Sequence, residues 1–282
     1  MRKYLSLIKF SHTIFAMPFA LIGFFLATQN YAFEWITLLY VVLCMVFARS
    51  SAMAFNRYID RDIDKANERT AKIREIPNGT ITAKNALIFV LINSLLFIGT
   101  TYLINPLCLA LSPVALLVTL GYSYTKRFTA LCHLILGLGL ALSPIGAYLA
   151  VSGVFDIIPI IFSFAVLFWV SGFDIIYSLQ DEEFDKAQKL HSMSVLMGKK
   201  NALTLSKFLH LISIIALIFA GTMGEFGLYY WIGFWIFSAL LVCQHALIKH
   251  NDLSKVNLAF FTTNGIASVI FGAFVIADLL VK

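Results

Sequence analysis

Two short stretches hold the residues best able to do chemistry: Asn56, Asp60 and Asp64, and then Tyr177, Asp181 and Asp185. In each, the aspartates stand four apart. On an α-helix that spacing turns a side chain by only about 40° and lifts it about one turn, so each pair shares a helix face. The faces extend backward, to Arg49 seven residues before Asn56 and to Asp174 three before Tyr177. Two polar stripes are predicted, Arg49–Asn56–Asp60–Asp64 and Asp174–Tyr177–Asp181–Asp185. Paired carboxylates suit a hard divalent cation such as Mg²⁺, which prefers oxygen ligands and usually binds through one or two carboxylates plus substrate phosphates. A solvated loop end would account for one such pair. It accounts poorly for two, each with a further polar residue on its stripe.

Both stretches lie where a long apolar run ends. The chain is 60% hydrophobic and 13% charged, against about 25% charged in soluble domains. So much apolar surface cannot be hidden in a soluble core, and the chain reads as an integral membrane protein. Long runs favour helices over a barrel, whose strands are short and alternating. The expected fold is all-α and polytopic, with about nine transmembrane helices near 11–28, 35–59, 86–104, 107–123, 130–151, 157–180, 202–221, 227–248 and 257–280, in one domain over residues 1–282. The first run is interrupted by Pro18 and Gly23 and has no clean A-x-A site, so it reads as a retained span. Pro144 and Gly146 are expected to kink the fifth span.

Basic residues cluster at 57–84, 126–127, 186–207 and 249–255, whereas the alternate loops offer Glu34, Asp156 and Glu225, with Lys282 their only basic residue. The positive-inside rule then puts the N-terminus and both aspartate stretches at the cytoplasmic face. The formal charge of +6 is split among loops between apolar runs, which argues against a nucleic-acid face. Cys44, Cys108, Cys132 and Cys243 all lie in apolar stretches without a C-x-x-C, so neither a zinc site nor a disulfide framework is indicated. His12, His133 and His191 lack metal-ligand spacing; His133 reads as a satisfied interior residue and Asp278 as interfacial. The two halves echo each other faintly, an apolar helix ending in paired aspartates and then a basic loop.

The patterns N-x-x-x-D-x-x-x-D and Y-x-x-x-D-x-x-x-D resemble the paired signatures of the UbiA superfamily of intramembrane prenyltransferases. The flanks are similar too: Arg69-Thr70-Ala71, Arg74-Glu75-Ile76-Pro77-Asn78-Gly79, Tyr122 to Thr129, and Leu190-His191-Ser192. The resemblance covers most of the chain, is densest over 49–200, and is nearest the 4-hydroxybenzoate polyprenyltransferase branch. Two features depart from it. Arg57 follows Asn56 where some members carry Asp, and the interval from Ala71 to Arg74 is one residue longer.

The resemblance implies helices around a central substrate chamber and Mg²⁺-dependent transfer of a polyprenyl group from polyprenyl diphosphate to an aromatic acid. The acceptor would be 4-hydroxybenzoate, in respiratory quinone biosynthesis at a bacterial-type inner membrane; a hydroxylated naphthoate on a menaquinone route is the alternative. It casts Asp60, Asp64, Asp181 and Asp185 as metal ligands in the catalytic centre with Tyr177. Asn56, Arg49, Arg69, Arg74, Lys126, Arg127 and Asp174 become substrate-binding candidates. The residues suit those roles, since cations can neutralise a diphosphate and aromatic faces such as Tyr58, Tyr122, Tyr124, Phe173 and Tyr177 can stabilise an allylic cation. Arg49, inside a span, would either hold an acceptor carboxylate or pair with Asp174. An ion-coupled transporter is the rival of a different class. Its site would lie near the midplane between repeats, whereas these acids gather at one face.

Overall fold

The structure, a computed structural model, describes residues 2–8 and 15–282. Among these residues every regular element is helical. In chain order the α-helices are α1 (Arg2–Leu7), α2 (Met17–Ala27), α3 (Trp35–Ile59), α4 (Arg61–Ala66), α5 (Glu68–Ala71), α6 (Ala83–Ile104), α7 (Pro106–Thr125), α8 (Cys132–Ser152), α9 (Ile157–Ser178), α10 (Glu182–Ala187), α11 (Met193–Met223), α12 (Leu228–Leu247) and α13 (Asn264–Val281). A π-helical segment, Leu258–Thr263, leads into α13.

Among the described residues eight helical segments are long and apolar enough to cross a bilayer, and α2 is a shorter apolar helix. The chain is therefore a multi-pass membrane protein. At 11 residues, α2 rises only about 16 Å, roughly half of a hydrocarbon core. The expected first span begins in residues 11–14, which with His12 lie outside the described residues. The seventh span starts earlier than hydropathy indicates, at Met193 instead of 202, because Lys199 and Lys200 mask its first turns. Gly198 interrupts it at φ 78°, where a side chain would be strained.

Lipid offers no hydrophobic drive between helices, so small residues and interhelical hydrogen bonds hold the bundle. A Cβ on Gly23 would land on the carbonyl oxygen of Pro144, so α2 rests directly on the backbone of α8. Serines stitch α8, α9 and α11 together: Ser171 donates to His133 O (3.2 Å), Ser206 to Gly172 O (2.7 Å) and Ser213 to Ala165 O (2.8 Å). Pro144 lies inside α8 and the helix runs on through it. Its missing N–H would have met Leu140 O, and the Ser143 hydroxyl takes that place at 2.7 Å. Ser112 does the same for Pro113, donating to Leu109 O at 2.8 Å.

One half of the bundle is packed and the other is hollow. Phe19, Phe162, Trp169, Phe237 and Phe271 form a continuous buried aromatic core among α2, α9, α12 and α13. Between α3, α6, α7 and α8 lies an apolar chamber of about 360 Å³. Its lining runs from Arg49 and Tyr122 at one end to Cys108, Leu149 and Phe155 at the other. From Cys108 to Tyr122 that is about 21 Å along α7.

Candidate active site

The two aspartate motifs are built alike. Each long span stops at an aspartate with bridge-region dihedrals, Asp60 at φ −88°, ψ 4° and Asp181 at φ −102°, ψ 4°. A helix of 6 residues follows each, α4 and α10. This conformation is sparsely populated and recurs at active sites. Helical hydrogen bonding persists across the first hinge, Asp60 N to Asn56 O at 2.9 Å and Asp64 N to Asp60 O at 2.7 Å, so the predicted stripe survives. At the second, a 3₁₀ turn over Leu179–Asp181 tightens the chain where one continuous helix to residue 180 was expected. The structure thus strengthens the echo between the halves.

Around Asp60 the cations are fixed. Lys126 Nζ lies 2.6 Å from its carboxylate and Arg127 Nη2 3.1 Å. Asn56 donates to it at 3.1 Å. Arg127 is itself pinned, donating to Ser123 O and Ile59 O, both at 2.9 Å. Asp64 is buried in α4 with Arg74 Nη1 at 3.5 Å. Burial, with Asp60 adding, pushes its carboxyl up to about 6 although Arg57 opposes the shift.

Arg69 joins the two motifs. It forks onto Asp181, Nε to Oδ1 at 3.1 Å with Nη2 on Oδ2, and its Nη1 donates to the Tyr177 hydroxyl at 3.1 Å. Its guanidinium also sits over the Tyr177 ring, 5.4 Å from the centroid. The Phe260 ring packs on the same ring, tilted by 35°, with centroids 4.3 Å apart. Asn67 Nδ2 adds a bond to Asp181 at 3.2 Å while its oxygen caps α5. Asp185 lies in the field of both Asp181 and Lys126, and the loop after α10 docks through His191 N to Lys126 O at 2.7 Å.

Asp174 and Arg49 stand deeper. Asp174 pairs with His133 Nδ1 at 2.7 Å, not with Arg49. His133 Nε2 accepts from Met193 N at 3.3 Å, so that imidazole is satisfied in the interior. Arg49 lines the chamber, and its buried Nε has no hydrogen-bond partner. Tyr122 shares that end of the chamber and lies within the field of Asp60. Phe55 and Arg61 engage Tyr58, and Arg127 lies over Tyr124.

The structure also assembles groups that the sequence pattern did not single out. Asn67 had a local signal, a cap residue before Glu68 and Arg69. Arg57, 6% exposed, was visible only as a departure from a motif. Asp278 is buried, and it caps α12 by accepting from Gly227 N at 2.7 Å and Tyr230 N at 3.2 Å.

Among the described residues no three His, Cys, Asp or Glu side chains converge as a metal cage. Mg²⁺ seldom uses one, since one or two carboxylates and substrate phosphates suffice. Asp60 Oδ1 and Asp64 Oδ2 are buried and accept no hydrogen bond, although cations stand nearby. Two hard oxygens with free lone pairs at a helix hinge fit such an ion.

Comparison with known proteins agrees with this geometry. Residues 16–266 match the UbiA prenyltransferase family. The 4-hydroxybenzoate octaprenyltransferase of Aeromonas hydrophila is 28% identical over 240 residues, 85% of this chain and 83% of that protein. That of Vesicomyosocius okutanii is 31% identical over 247 residues, 88% and 89% of the two chains. The apo structure of a UbiA homolog from Aeropyrum pernix K1 superposes with a TM-score of 0.86 at 30% identity, covering 95% of this chain and 98% of that one. A UbiA homolog from Archaeoglobus fulgidus bound to DMAPP and Mg²⁺ shares the fold, with a TM-score of 0.76 at 22% identity over 99% and 100% of the two chains.

Proposed function

Because the chain belongs to the UbiA prenyltransferase family, we propose that it transfers a polyprenyl group from polyprenyl diphosphate to an aromatic acid, with 4-hydroxybenzoate the first acceptor to test. The observation that carries this reading is the meeting of an acid–base mouth with an apolar chamber at Arg49 and Tyr122. A prenyl diphosphate has the same two-part character. Its tail gains by leaving water for the chamber, and its head gains from Arg69, Arg74, Lys126 and Arg127.

In this reading the allylic carbon–oxygen bond breaks, the diphosphate leaves, an aromatic ring carbon takes the allylic carbon, and the ring proton departs. Mg²⁺ held by Asp60, Asp64, Asp181 and Asp185 would offset charge on the departing diphosphate. The residues of the chain do the rest. Asn56 orients Asp60. Tyr177, its hydroxyl fixed by Arg69, would offer its ring to the allylic cation. The chamber lining keeps water from that cation. Arg49 receives the acceptor carboxylate, which would otherwise be costly to bring into an apolar space. Arg127 is less suited to that task because backbone carbonyls already take its donors. Asp174 keeps His133 oriented at the back of the site. The whole of residues 1–282 acts as one domain in a bacterial-type inner membrane, with the N-terminus and mouth cytoplasmic.

The test is an assay in membranes carrying the chain. Polyprenyl diphosphates of several lengths are offered with Mg²⁺ and each aromatic acid in turn. Prenylated 4-hydroxybenzoate is the expected product. Prenylation of a hydroxylated naphthoate alone would replace the acceptor and keep the reaction class. No prenylated product with any acceptor would overturn the proposal.

A further inference from the structure

Among the described residues, Arg57 is a buried basic residue of the mouth that no aspartate claims at ion-pair distance. Arg69, Arg74, Lys126 and Arg127 each stand at ion-pair distance from an aspartate. No carboxylate of the described residues does so for Arg57, which is only 6% exposed. Its Nη1 donates to Asn56 Oδ1 at 3.2 Å, and its Nε is buried with no hydrogen-bond partner. It nevertheless stands inside the site, as the largest opposing charge acting on Asp64 and a neighbour of Tyr122. A buried guanidinium without an ion partner is expensive, and inside a candidate site it marks a place for an anionic ligand.

The balance of charge says which ligand. Four cations face the four motif aspartates, Lys126 and Arg127 both on Asp60, Arg74 on Asp64 and Arg69 on Asp181, and Arg57 adds a fifth positive charge to that set. An acid at this position would leave a negative excess instead, and an incoming diphosphate would then need more metal to enter. We propose that Arg57 is a built-in counter-charge for the diphosphate, forking onto a phosphate oxygen so that the head group binds before, and with less help from, divalent metal. This rests on the prenyl diphosphate reading above and deepens it. The rival account makes Arg57 solely a counter-charge for Asp60 and Asp64.

The experiment measures equilibrium binding of inorganic diphosphate and of geranyl thiolodiphosphate, an unreactive analogue, to the full chain in detergent. It is run with chelator and with saturating Mg²⁺. Wild type is expected to bind both probes in chelator. Arg57→Gln should weaken that metal-free binding by about tenfold or more, the size of one charge-assisted contact, and raise the Mg²⁺ concentration that restores it. With saturating Mg²⁺ the loss should shrink to about threefold or less. Should Arg57→Gln fail to fold, Arg57→Lys decides: several-fold weaker metal-free binding supports the fork, and unchanged binding overturns it. Absence of metal-free binding by wild type also overturns it, as does a folded Arg57→Gln that binds like wild type in chelator. No binding even with Mg²⁺ would remove the prenyl diphosphate reading itself, whereas Mg²⁺-supported binding indifferent to residue 57 would remove only this inference.

Discussion

Arg69 is the residue through which the two motifs feel each other, and its removal gives a worked test. Arg69→Gln deletes a forked contact with Asp181 and a bond to the Tyr177 hydroxyl. Hydrogen bonds to charged groups are worth about 1.5–3 kcal/mol each when buried. The Arg69 side chain is 35% exposed, so solvent screening cuts the total to about 2 kcal/mol. That predicts about a 30-fold fall in kcat/KM for the prenyl diphosphate. Tyr177→Phe removes only the hydroxyl and should cost about 1 kcal/mol. Because the two changes share one bond, the double variant should fall short of the sum by about 0.5–1 kcal/mol. The assay is initial rate against prenyl diphosphate at saturating acceptor for all four proteins, with thermal unfolding as the control for folding. Strict additivity, or a loss under twofold for Arg69→Gln, would refute the idea that Arg69 presents Tyr177 and Asp181 as one unit.

Arg49→Ala and Arg49→Lys should raise the acceptor KM by tenfold or more, about one charge-assisted contact, and leave the prenyl diphosphate KM unchanged; an untouched acceptor KM would make Arg49 structural. Asp60→Asn, Asp64→Asn, Asp181→Asn and Asp185→Asn should each lose most activity while melting near the wild-type temperature, and near-normal rates in three of them would dissolve the shared metal site. Thorough chelation should stop turnover and added Mg²⁺ restore it, so full activity in chelator would contradict the assignment of the aspartates. Asn264→Leu should lower the melting temperature by about 5 °C or more, because it unpairs the buried Trp169 indole and removes two bonds to carbonyls of the π-helical segment; an unchanged melting curve would show that the segment does not need that side chain.

How much of this was legible in the sequence depends on the kind of signal. Long apolar runs report spans directly, so α3, α6, α7, α9 and α12 fall within a few residues of their expected limits. Runs broken by charge do not, which is why α11 was foreshortened at Lys199 and Lys200. Helical spacing placed Asp60 and Asp64 on one face and pointed Arg49 inward, and both are seen. It could not show the pairing of Asp174 with His133, because contact between α8 and α9 is tertiary and leaves no period in either helix. The same limit hid the roles of Arg57 and Phe260, and of Asn67 beyond its local cap, because those come from what folds against them. Nor could the sequence show that Asp278 caps α12, because a carboxylate's partners at the free N–H groups of a neighbouring helix terminus are set by the fold.

The position of the acids follows from the same physics that makes the helices. Within lipid a chain must pair its backbone internally, so a span can break only where water or protein groups take over. Both spans break at an aspartate, Asp60 and Asp181, and both resume as short helices beneath a layer of basic side chains. That boundary is also the one place where a substrate with a charged head and an apolar tail can satisfy both ends at once. Groups placed deeper obey a stricter rule. Asp174 has His133, but Arg49 and Arg57 have no carboxylate at ion-pair distance among the described residues. Two half-paired guanidiniums lie eight residues apart on one helix, about 12 Å along its axis. Arg49 lines the apolar chamber, and Arg57 stands on Asn56 at the acid–base mouth. In the proposed reading, that separation would leave room for an aromatic acid between a carboxylate anchor at Arg49 and the allylic carbon.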